Sequence, residues 1–262
     1  MSKPKPRAQV LMKDGLHYRK AAFSHGLKTI GFEIKDHISD PGPQDLLVIW
    51  NRSFRGAEDA ERFERHKARV LVAENGYMGK NWIGGNWYAL AFGHHAGVGS
   101  WNVGRPERWD SLGVDLKPWR TDGTETIVLG QRGIGERGLK SPEGWAEATQ
   151  ARLGGRIRKH PGRNGDATTL EEDLAHATSV VTWASSAALQ ALLHGVPVWY
   201  EMPGWIGAMA ARPISEFGQE PLCDDAARLA MFRRLMWAQW QLDEIDNGTA
   251  FQQLFGDTTC LT

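Results

Sequence analysis

The stretch RIRKHPGRNGDATTLEEDLAHATSVVTWASSAALQALLHGVPVWYE, residues 156–201, decides how the chain folds. It contains three short apolar or β-branched runs separated by two helix-like segments. Thr168 and Thr169 are each followed three residues later by a glutamate, which is the capping-box spacing at a helix start. Ser185 is predicted to cap the second helix and Gly195 to end it. The stretch therefore predicts strands alternating with helices in a parallel sheet.

Polar side chains follow each predicted strand of this stretch. Ligands bind beyond the carboxyl ends of the strands in open parallel sheets. Cationic and hydrogen-bonding groups there, with the amide groups that begin a helix, suit a phosphate. Plain turns and a simple N-cap are the alternative reading of the same residues. The predicted phosphate-binding residues are Lys159, His160, Pro161, Ser185, Ser186 and Glu201.

The rest of the chain shows the same alternation in two series. The first series has predicted strands at AQVLM, KTIGFEIK, DLLVIW and RVLVAENGYMG, and residues 81–118 are predicted to form a strand followed by long loops. The second series begins near Thr124 with the strand ETIVLGQ and a helix capped by Ser141. A long helical pattern runs from Asp224 to Ile245. This order predicts an α/β protein with two doubly wound, Rossmann-like domains facing a cleft and a C-terminal bracing helix.

The predicted domain boundaries follow from the breaks between these series. Residues 1–118 form the first domain, residues 119–223 the second, and residues 224–262 the segment that packs across both. A chain of 262 residues is long enough for two small domains.

Charge and cysteine content exclude several classes of protein. The formal net charge is +0 and the pI is about 7.1, so no overall field attracts nucleic acid or anionic lipid. Cys223 and Cys260 lack metal-ligand spacing and cannot make a disulfide framework. No apolar run approaches the roughly 18 residues that a membrane span needs. We therefore expect a reduced, cytoplasmic protein without a transmembrane segment.

The glycine-rich run from Gly133 to Gly138 matches the dinucleotide-binding pattern G-x-G-x-x-G. The acid expected about twenty residues later is missing, because the next predicted strand ends in RIRKHPG. The run is therefore interpreted as a loop that lines some other phosphate. The sequence predicts no cofactor.

Several segments resemble, in order, the capsule polysaccharide synthesis family of Kdo transferases. VAENGYMG is similar to that family's acid-rich strand end, TIVLGQRGIGERG to its Val-Leu-…-Gly-Gln segment, and RIRKHPG to its Lys-…-His-Pro motif. SVVTWASSAALQALLHGVPV resembles its strand-Ser-helix segment, and YEMPGWIGAMA the loop that follows. The resemblance covers roughly residues 69–210. It implies a two-domain GT-B fold, a CMP-activated sugar donor and nucleotide binding by Gln131.

The resemblance also places candidate residues in the first domain. Glu74 falls in the acid-rich motif and is the predicted catalytic carboxylate, because glycosyl transfer needs a carboxylate near the reacting carbon. Asn75 stands where the family has a second acid. Aromatic side chains among glycines can stack on a sugar or a base. The predicted acceptor-binding residues are Asn75, Tyr77, Trp82, Trp87 and Trp101.

The sequence predicts a glycosyltransferase that moves a sugar from a nucleotide-activated donor, CMP-linked by the resemblance, to a glycan. We predict no metal ion, because no Asp-x-Asp pair ends a strand and His94 and His95 lack a third ligand in sequence. Glycosylation of modified bases in DNA is an alternative, which a basic cluster favours. A sugar-nucleotide epimerase or hydrolase and a non-catalytic nucleotide-binding module are further alternatives. The basic cluster consists of Arg152, Arg156, Arg158, Lys159 and Arg163.

Overall fold

The computed structural model describes residues 5–53, 55–134, 139–160 and 168–256, and the chain divides into two compact units. Unit 1 comprises residues 1–105 and 236–262, and unit 2 comprises residues 106–235. Unit 1 is thus assembled from two separate segments of the chain.

Each unit is built on one β-sheet. The strands of unit 1 are β1 (Arg7–Leu11), β2 (Glu33–Lys35), β3 (Leu46–Trp50), β4 (Arg69–Asn75), β5 (Trp87–Phe92) and β11 (Gln239–Gln241). The strands of unit 2 are β6 (Glu125–Leu129), β7 (Arg156–Arg158), β8 (Ala177–Thr182), β9 (Val198–Tyr200) and β10 (Arg212–Pro213).

The α-helices are α1 (Lys20–Thr29), α2 (Arg55–Arg65), α8 (Leu242–Asp246) and α9 (Thr249–Phe255) in unit 1, and α3 (Glu107–Asp110), α4 (Trp145–Leu153), α5 (Leu170–His176), α6 (Ala187–Leu193) and α7 (Asp225–Leu235) in unit 2. Within the described residues, no helix has the length and apolar character required to cross a membrane.

The sheet of unit 1 has the order β11-β5-β4-β3-β1-β2. Its central strands β1, β3 and β4 are parallel, and β3 reads as a continuous apolar run because both of its faces are buried. The chain runs from β1 to its neighbour β2, towards one edge of the sheet, and from β3 to its neighbour β4, towards the other edge. The strand order therefore reverses between β1 and β3. Ligands bind at such reversals in open α/β sheets.

The structure corrects the expectation of a wholly parallel first sheet. Strand β5 is antiparallel to β4, and β11 is antiparallel to β5, with Gln239 opposite Ala89. The prediction of one continuous helix from Asp224 to Ile245 is also wrong, because strand β11 interrupts it. Helix α7 ends at Leu235, and the chain then enters β11, where pairing with β5 buries Trp240 to 1% exposure.

The sheet of unit 2 has the order β10-β9-β8-β6-β7, and every strand pair is parallel. Connections from β6 lead to β7 on one side and connections from β8 lead to β9 on the other, so the reversal lies between β6 and β8. The residues that follow these two strands therefore meet at the position where a parallel sheet binds its ligand. The predicted α/β class with two sheets rich in parallel strands is confirmed.

Local signals in unit 2 explain its helices. The capping box of α5 is confirmed, since Thr169 Oγ1 accepts from the Glu172 amide at 3.1 Å and Glu172 Oε2 accepts from the Thr169 amide at 2.7 Å. Gly195 follows α6 with φ 73°, and a Cβ there would lie 1.9 Å from the Pro118 carbonyl oxygen, so only glycine fits. The Ser141 cap is wrong, because α4 begins one turn later, after Gly144 at φ 69°.

Candidate functional site

The reversal of strand order in unit 2 is occupied by Gln131 and the turn between β8 and α6. Gln131 Oε1 accepts a 2.8 Å hydrogen bond from the Ala184 amide. Thr182 Oγ1, at the end of β8, accepts from the Ser185 amide at 2.8 Å, and Ser185 Oγ accepts from the Ala187 amide at 3.2 Å. Three side chains thus hold this turn at the carboxyl edge of the sheet. The amides of Ala184, Ser185 and Ala187 are therefore already bonded within the protein, and the hydroxyls of Ser185 and Ser186 are the groups of this turn that could donate to an anion.

The cap of α6 differs from the prediction in one residue. Ser186 occupies the N-cap position without a side-chain capping bond, whereas the Ser185 hydroxyl bonds to the amide two residues on. Ser186 is exposed at the edge of the sheet. Ser185 therefore shapes the turn, and Ser186 leaves its hydroxyl on the surface.

Lys159 and His160 follow β7 at the same edge, and both are exposed. The pKa of His160 is lowered by partial desolvation of its ring and, secondarily, by the positive charge of Arg132. Both effects disfavour the imidazolium form. A bound anion would reverse the effect of Arg132. Pro161, Gly135–Gly138 and Arg163 lie outside the described residues.

Glu201 follows β9 and completes the polar edge of unit 2. Its Oε2 accepts a 2.6 Å hydrogen bond from the indole nitrogen of Trp145, the first residue of α4. This bond fixes one carboxylate oxygen, and a carboxylate retains further acceptor capacity for ribose or sugar hydroxyls.

Two arginines of the basic cluster in unit 2, Arg156 and Arg158, are neutralised by carboxylates. Arg156 donates to both oxygens of Glu125, at 3.0 and 2.9 Å, and to Asp173 at 2.7 Å. Arg158 pairs with the second oxygen of Asp173 at 2.8 Å, and it is only 7% exposed. These two arginines therefore stabilise unit 2. They do not provide a free basic groove for DNA.

The carboxyl group of Glu74 lies at the carboxyl end of β4 in unit 1. Its Oε1 accepts a 2.7 Å hydrogen bond from the Ala96 amide, and the carboxyl also bonds with the Tyr77 hydroxyl. Burial raises the pKa of Glu74 to about 7, although both hydrogen bonds favour the ionised form. A carboxyl in this range exchanges a proton near neutral pH.

The loop that supplies Ala96 is held by a chain of hydrogen bonds. The Gly97 amide donates to the Tyr77 hydroxyl at 3.0 Å. The His95 amide donates to His94 Nδ1 at 2.9 Å, and the Arg52 amide donates to His95 Nδ1 at 3.2 Å. The two histidines are thus buried supports of the loop. Among the described residues, no group of three or more His, Cys, Asp or Glu side chains is arranged to hold a metal ion.

The predicted acceptor-binding residues differ in exposure. Tyr77, Trp87 and Trp101 are 4%, 2% and 8% exposed, so their rings pack inside unit 1 and do not offer a face to a ligand. Trp82 is partly exposed, and its carbonyl accepts from the Trp87 indole at 2.8 Å. Asn75 is exposed at the end of β4. Trp82 and Asn75 therefore remain candidates for contact with an acceptor.

Three residues near the carboxyl edges of the two sheets were not predicted as site residues from the sequence. Arg132 follows Gln131 directly, so its strand-end position could have revealed it. Trp145 acts on Glu201 from another helix, and Ala96 acts through its backbone amide. Neither contact has a local sequence signature.

Comparison with known proteins identifies structures of the same fold. The structure described as Thermosulfurimonas dismutans KpsC, beta Kdo 2,7 transferase, superposes with a TM-score of 0.57 at 13% sequence identity, covering 94% of this chain and 99% of that one. The chain has the fold of the KpsC Kdo transferases. The beta Kdo 2,4 transferase structure of KpsC from the same organism gives a TM-score of 0.53 at 15% identity, covering 88% of this chain and 90% of that one.

The resemblance to Kdo transferases predicted from sequence motifs is therefore confirmed as a divergent one. No protein-family model matches the chain, and no curated protein matches it at a significant level. The likeness thus rests on three-dimensional structure and on the order of the motifs.

Proposed function

We propose that the protein is a glycosyltransferase that moves a sugar from a nucleotide-activated donor, CMP-linked, to a glycan acceptor. The observation that carries the proposal is the Glu74 carboxyl, which is held at a strand end by the Ala96 amide and the Tyr77 hydroxyl and has a pKa raised to about 7. The fold shared with KpsC Kdo transferases supports the same class of reaction.

Glu74 is assigned the proton transfer. In glycosyl transfer the acceptor hydroxyl forms a bond to the anomeric carbon, the bond from that carbon to the donor phosphate breaks, and the hydroxyl proton must leave. A carboxylate whose pKa lies near the working pH accepts this proton efficiently. Its ionised form also stabilises positive charge that develops on the sugar ring.

The nucleotide is assigned to unit 2. The leaving nucleotide carries negative charge on its phosphate, and fixed donors lower the energy of that charge. The hydroxyls of Ser185 and Ser186 lie at the reversal of strand order, and Lys159 and the His160 imidazole follow the neighbouring strand β7 at the same edge, so these side chains are the proposed donors. Glu201, fixed by Trp145, suits the hydroxyls of the nucleotide or the sugar. Lys159 supplies positive charge among these groups, and we propose that the reaction proceeds without a metal ion at the phosphate.

Glycosylation of DNA receives less support. Arg156 and Arg158 belong to the basic cluster that favoured DNA glycosylation in the sequence analysis. In the structure they are paired with Glu125 and Asp173. Paired arginines release few counterions on contact with a polyanion, so they add little to DNA affinity.

A thermal-shift screen of CMP, UDP, GDP and their sugars tests the donor assignment. A ligand at about 100 times its dissociation constant adds roughly 2.7 kcal/mol of stability, which is readily measured. We expect CMP and CMP-sugars to stabilise the protein more than the other nucleotides do. Turnover of a CMP-sugar without an acceptor would instead support a hydrolase, and tight binding without any turnover would support a nucleotide-binding module.

A further inference from the structure

A pocket lined by both polar and apolar side chains lies in unit 1, apart from Glu74. It has a volume of about 520 Å³ and is bounded by α1, the start of β5, the end of β11 and α8. Because β5 is antiparallel to β4, and β11 to β5, the start of β5 and the end of β11 lie at the same edge of the sheet as Glu74. The residues that matter for its chemistry are Arg19, Asn86, Gln241, Leu242, Asp243 and Asp246.

The buried hydroxyl of Tyr88 orients two of these side chains. Tyr88 is 0% exposed, and its hydroxyl donates to the His17 carbonyl at 3.1 Å. Since that bond uses its only proton, the hydroxyl accepts from the side chains of Arg19 and Asn86, with which it also bonds. Tyr88 pairs with Asn75, the residue after Glu74, in the sheet register. The pocket therefore lies next to the end of β4, the strand that carries the Glu74 carboxyl.

Two polar atoms of the lining have no hydrogen-bond partner within the described part of the chain. They are Nε of Arg19 and Oδ1 of Asn86, one donor and one acceptor. A buried polar atom without a partner is costly, and a side-chain rotation that brings either atom to a ligand hydroxyl removes that cost. Arg19 also has a left-handed backbone, with φ 55° and ψ 37°. Strained conformations of this kind concentrate at ligand-binding positions.

The remaining groups around the pocket mix donors with acceptors. The backbone amide of Gln241 donates to Glu244 Oε2 at 2.8 Å, and the side-chain amide of Gln241 contains a nitrogen that can donate to a ligand. Asp243 Oδ1 accepts from the Glu244 amide at 3.0 Å, and Asp246 Oδ1 lies 3.1 Å from His25 Nδ1, so each carboxylate keeps a second oxygen. Amides and carboxylates together recognise hydroxyl groups. Two carboxylates also repel a phosphodiester chain.

We propose that this pocket binds a sugar unit of the acceptor through its hydroxyl groups, and that it selects a glycan over DNA. The proposal rests on the proposed function, and it deepens that function by naming the residues that recognise the glycan acceptor. Arg19 and Gln241 donate to the sugar, and Asn86 and Asp243 accept from it.

The test uses the full chain, labelled with ¹⁵N, and the side-chain amide signals of Asn86 and Gln241. The probes are a panel of methyl glycosides of neutral and acidic monosaccharides at millimolar concentration, and an oligothymidylate. We expect at least one glycoside to shift both signals, and the oligothymidylate to shift neither. If no glycoside shifts them, or if the oligothymidylate does, the proposal is overturned.

Two substitutions in the pocket test which side chains contact the glycoside. The change Asp243→Asn keeps an oxygen for the Glu244 amide but removes the charge, and we expect about tenfold weaker glycoside binding. Asn86→Leu is the second variant and should weaken binding at least as much. Asp36→Asn is the matched control, because Asp36 is exposed after β2, at the far edge of the sheet from β11. Unchanged glycoside affinity in both pocket variants would overturn the assignment.

A titration with CMP separates this proposal from the donor assignment. CMP is expected to shift the indole signal of Trp145 in unit 2, which reports on Glu201. If CMP shifts nothing while a glycoside shifts Asn86, the donor site fails and the sugar pocket stands. If CMP shifts the Trp145 signal while no glycoside shifts the Asn86 signal, the sugar-pocket proposal fails and the donor assignment stands.

Discussion

The backbone amide of Ala96 donates a 2.7 Å hydrogen bond to Oε1 of Glu74. Strand β5 separates these two residues in the sequence. The loop containing Ala96 is anchored in turn by the bond from the Gly97 amide to the Tyr77 hydroxyl. The carboxyl is therefore held in one orientation by a backbone amide and a phenol hydroxyl. Its position and its pKa of about 7 together lead to two predictions.

Replacing Glu74 by glutamine should abolish most of the activity. Glu74→Gln keeps an oxygen that can accept from Ala96, but it cannot take a proton or carry charge. We expect turnover to fall by at least about 100-fold, or about 2.7 kcal/mol of barrier. Nucleotide affinity should stay within about threefold, roughly 0.6 kcal/mol, when measured by calorimetry. Glu61→Gln, an exposed change on α2, is the control. Near-normal turnover in the Glu74 variant would place the catalytic carboxyl elsewhere.

The same substitution should change how stability depends on pH. Because burial raises the pKa of Glu74 from 4.5 to about 7, the folded protein holds this proton more tightly than the unfolded chain. The contribution is fully present below pH 4.5 and is lost as the pH rises through about 7. Glu74→Gln should therefore gain stability relative to the natural protein, on the order of 2–3 kcal/mol, between these pH values.

Urea denaturation of both proteins at a series of pH values measures this gain. The Glu61→Gln control should show the pH dependence of the natural protein. A constant stability difference between Glu74→Gln and the natural protein across the range would mean that Glu74 ionises as an ordinary surface carboxyl.

Local signals in the sequence were enough to predict most of unit 2. The strand-forming runs, the capping box of Thr169 and the positive φ at Gly195 are each signalled by residues close together in the chain. Unit 1 was harder, because the pairing of Gln239 with Ala89 joins residues 150 positions apart and turns part of a predicted helix into a strand. Long-range pairing overrides local helical periodicity in this segment.

The candidate site divides in the same way. The strand-end positions of Glu74 in unit 1 and of Gln131, His160 and Ser185 in unit 2 follow from sequence, because parallel strands bring their carboxyl ends to one edge of each sheet. The contacts that set their chemistry do not. The Ala96 amide has no side-chain signature, and the burial of Trp87 and Trp101 depends on packing that glycine-rich sequence does not reveal.

The donor site in unit 2 is tested by removing single side chains. His160→Ala and Ser185→Ala should each weaken nucleotide affinity by about 1–3 kcal/mol, the usual cost of a lost bond to a charged group. His160→Ala should change folding little, because His160 is exposed after β7, whereas Ser185→Ala also removes the bond to the Ala187 amide and should cost about 1 kcal/mol of stability. His176→Ala and Ser215→Ala are matched controls at exposed positions of the same unit. Calorimetry with CMP gives the affinities, and unchanged values in both site variants would move the nucleotide away from this edge.

The charge of the donor ligand is tested by substitution at Gln131. Its Oε1 accepts from the Ala184 amide at 2.8 Å, and a glutamate in its place would retain this bond while adding a negative charge. A phosphate bound at the adjacent turn would lie roughly 6 Å from that charge, where repulsion amounts to about 1–3 kcal/mol. Gln131→Glu should therefore weaken CMP by about tenfold, measured by calorimetry at low salt.

The salt dependence of this effect separates repulsion from damage to the turn. Raising the ionic strength screens exposed charges, so the loss in Gln131→Glu should shrink as salt is added. Gln131→Met removes the bond to Ala184 without adding charge, and its effect on CMP affinity should not change with salt. Cytidine, which lacks the phosphate, should bind Gln131→Glu as well as it binds the natural protein. If Gln131→Glu weakens cytidine as much as CMP, the residue shapes the turn and the phosphate lies elsewhere.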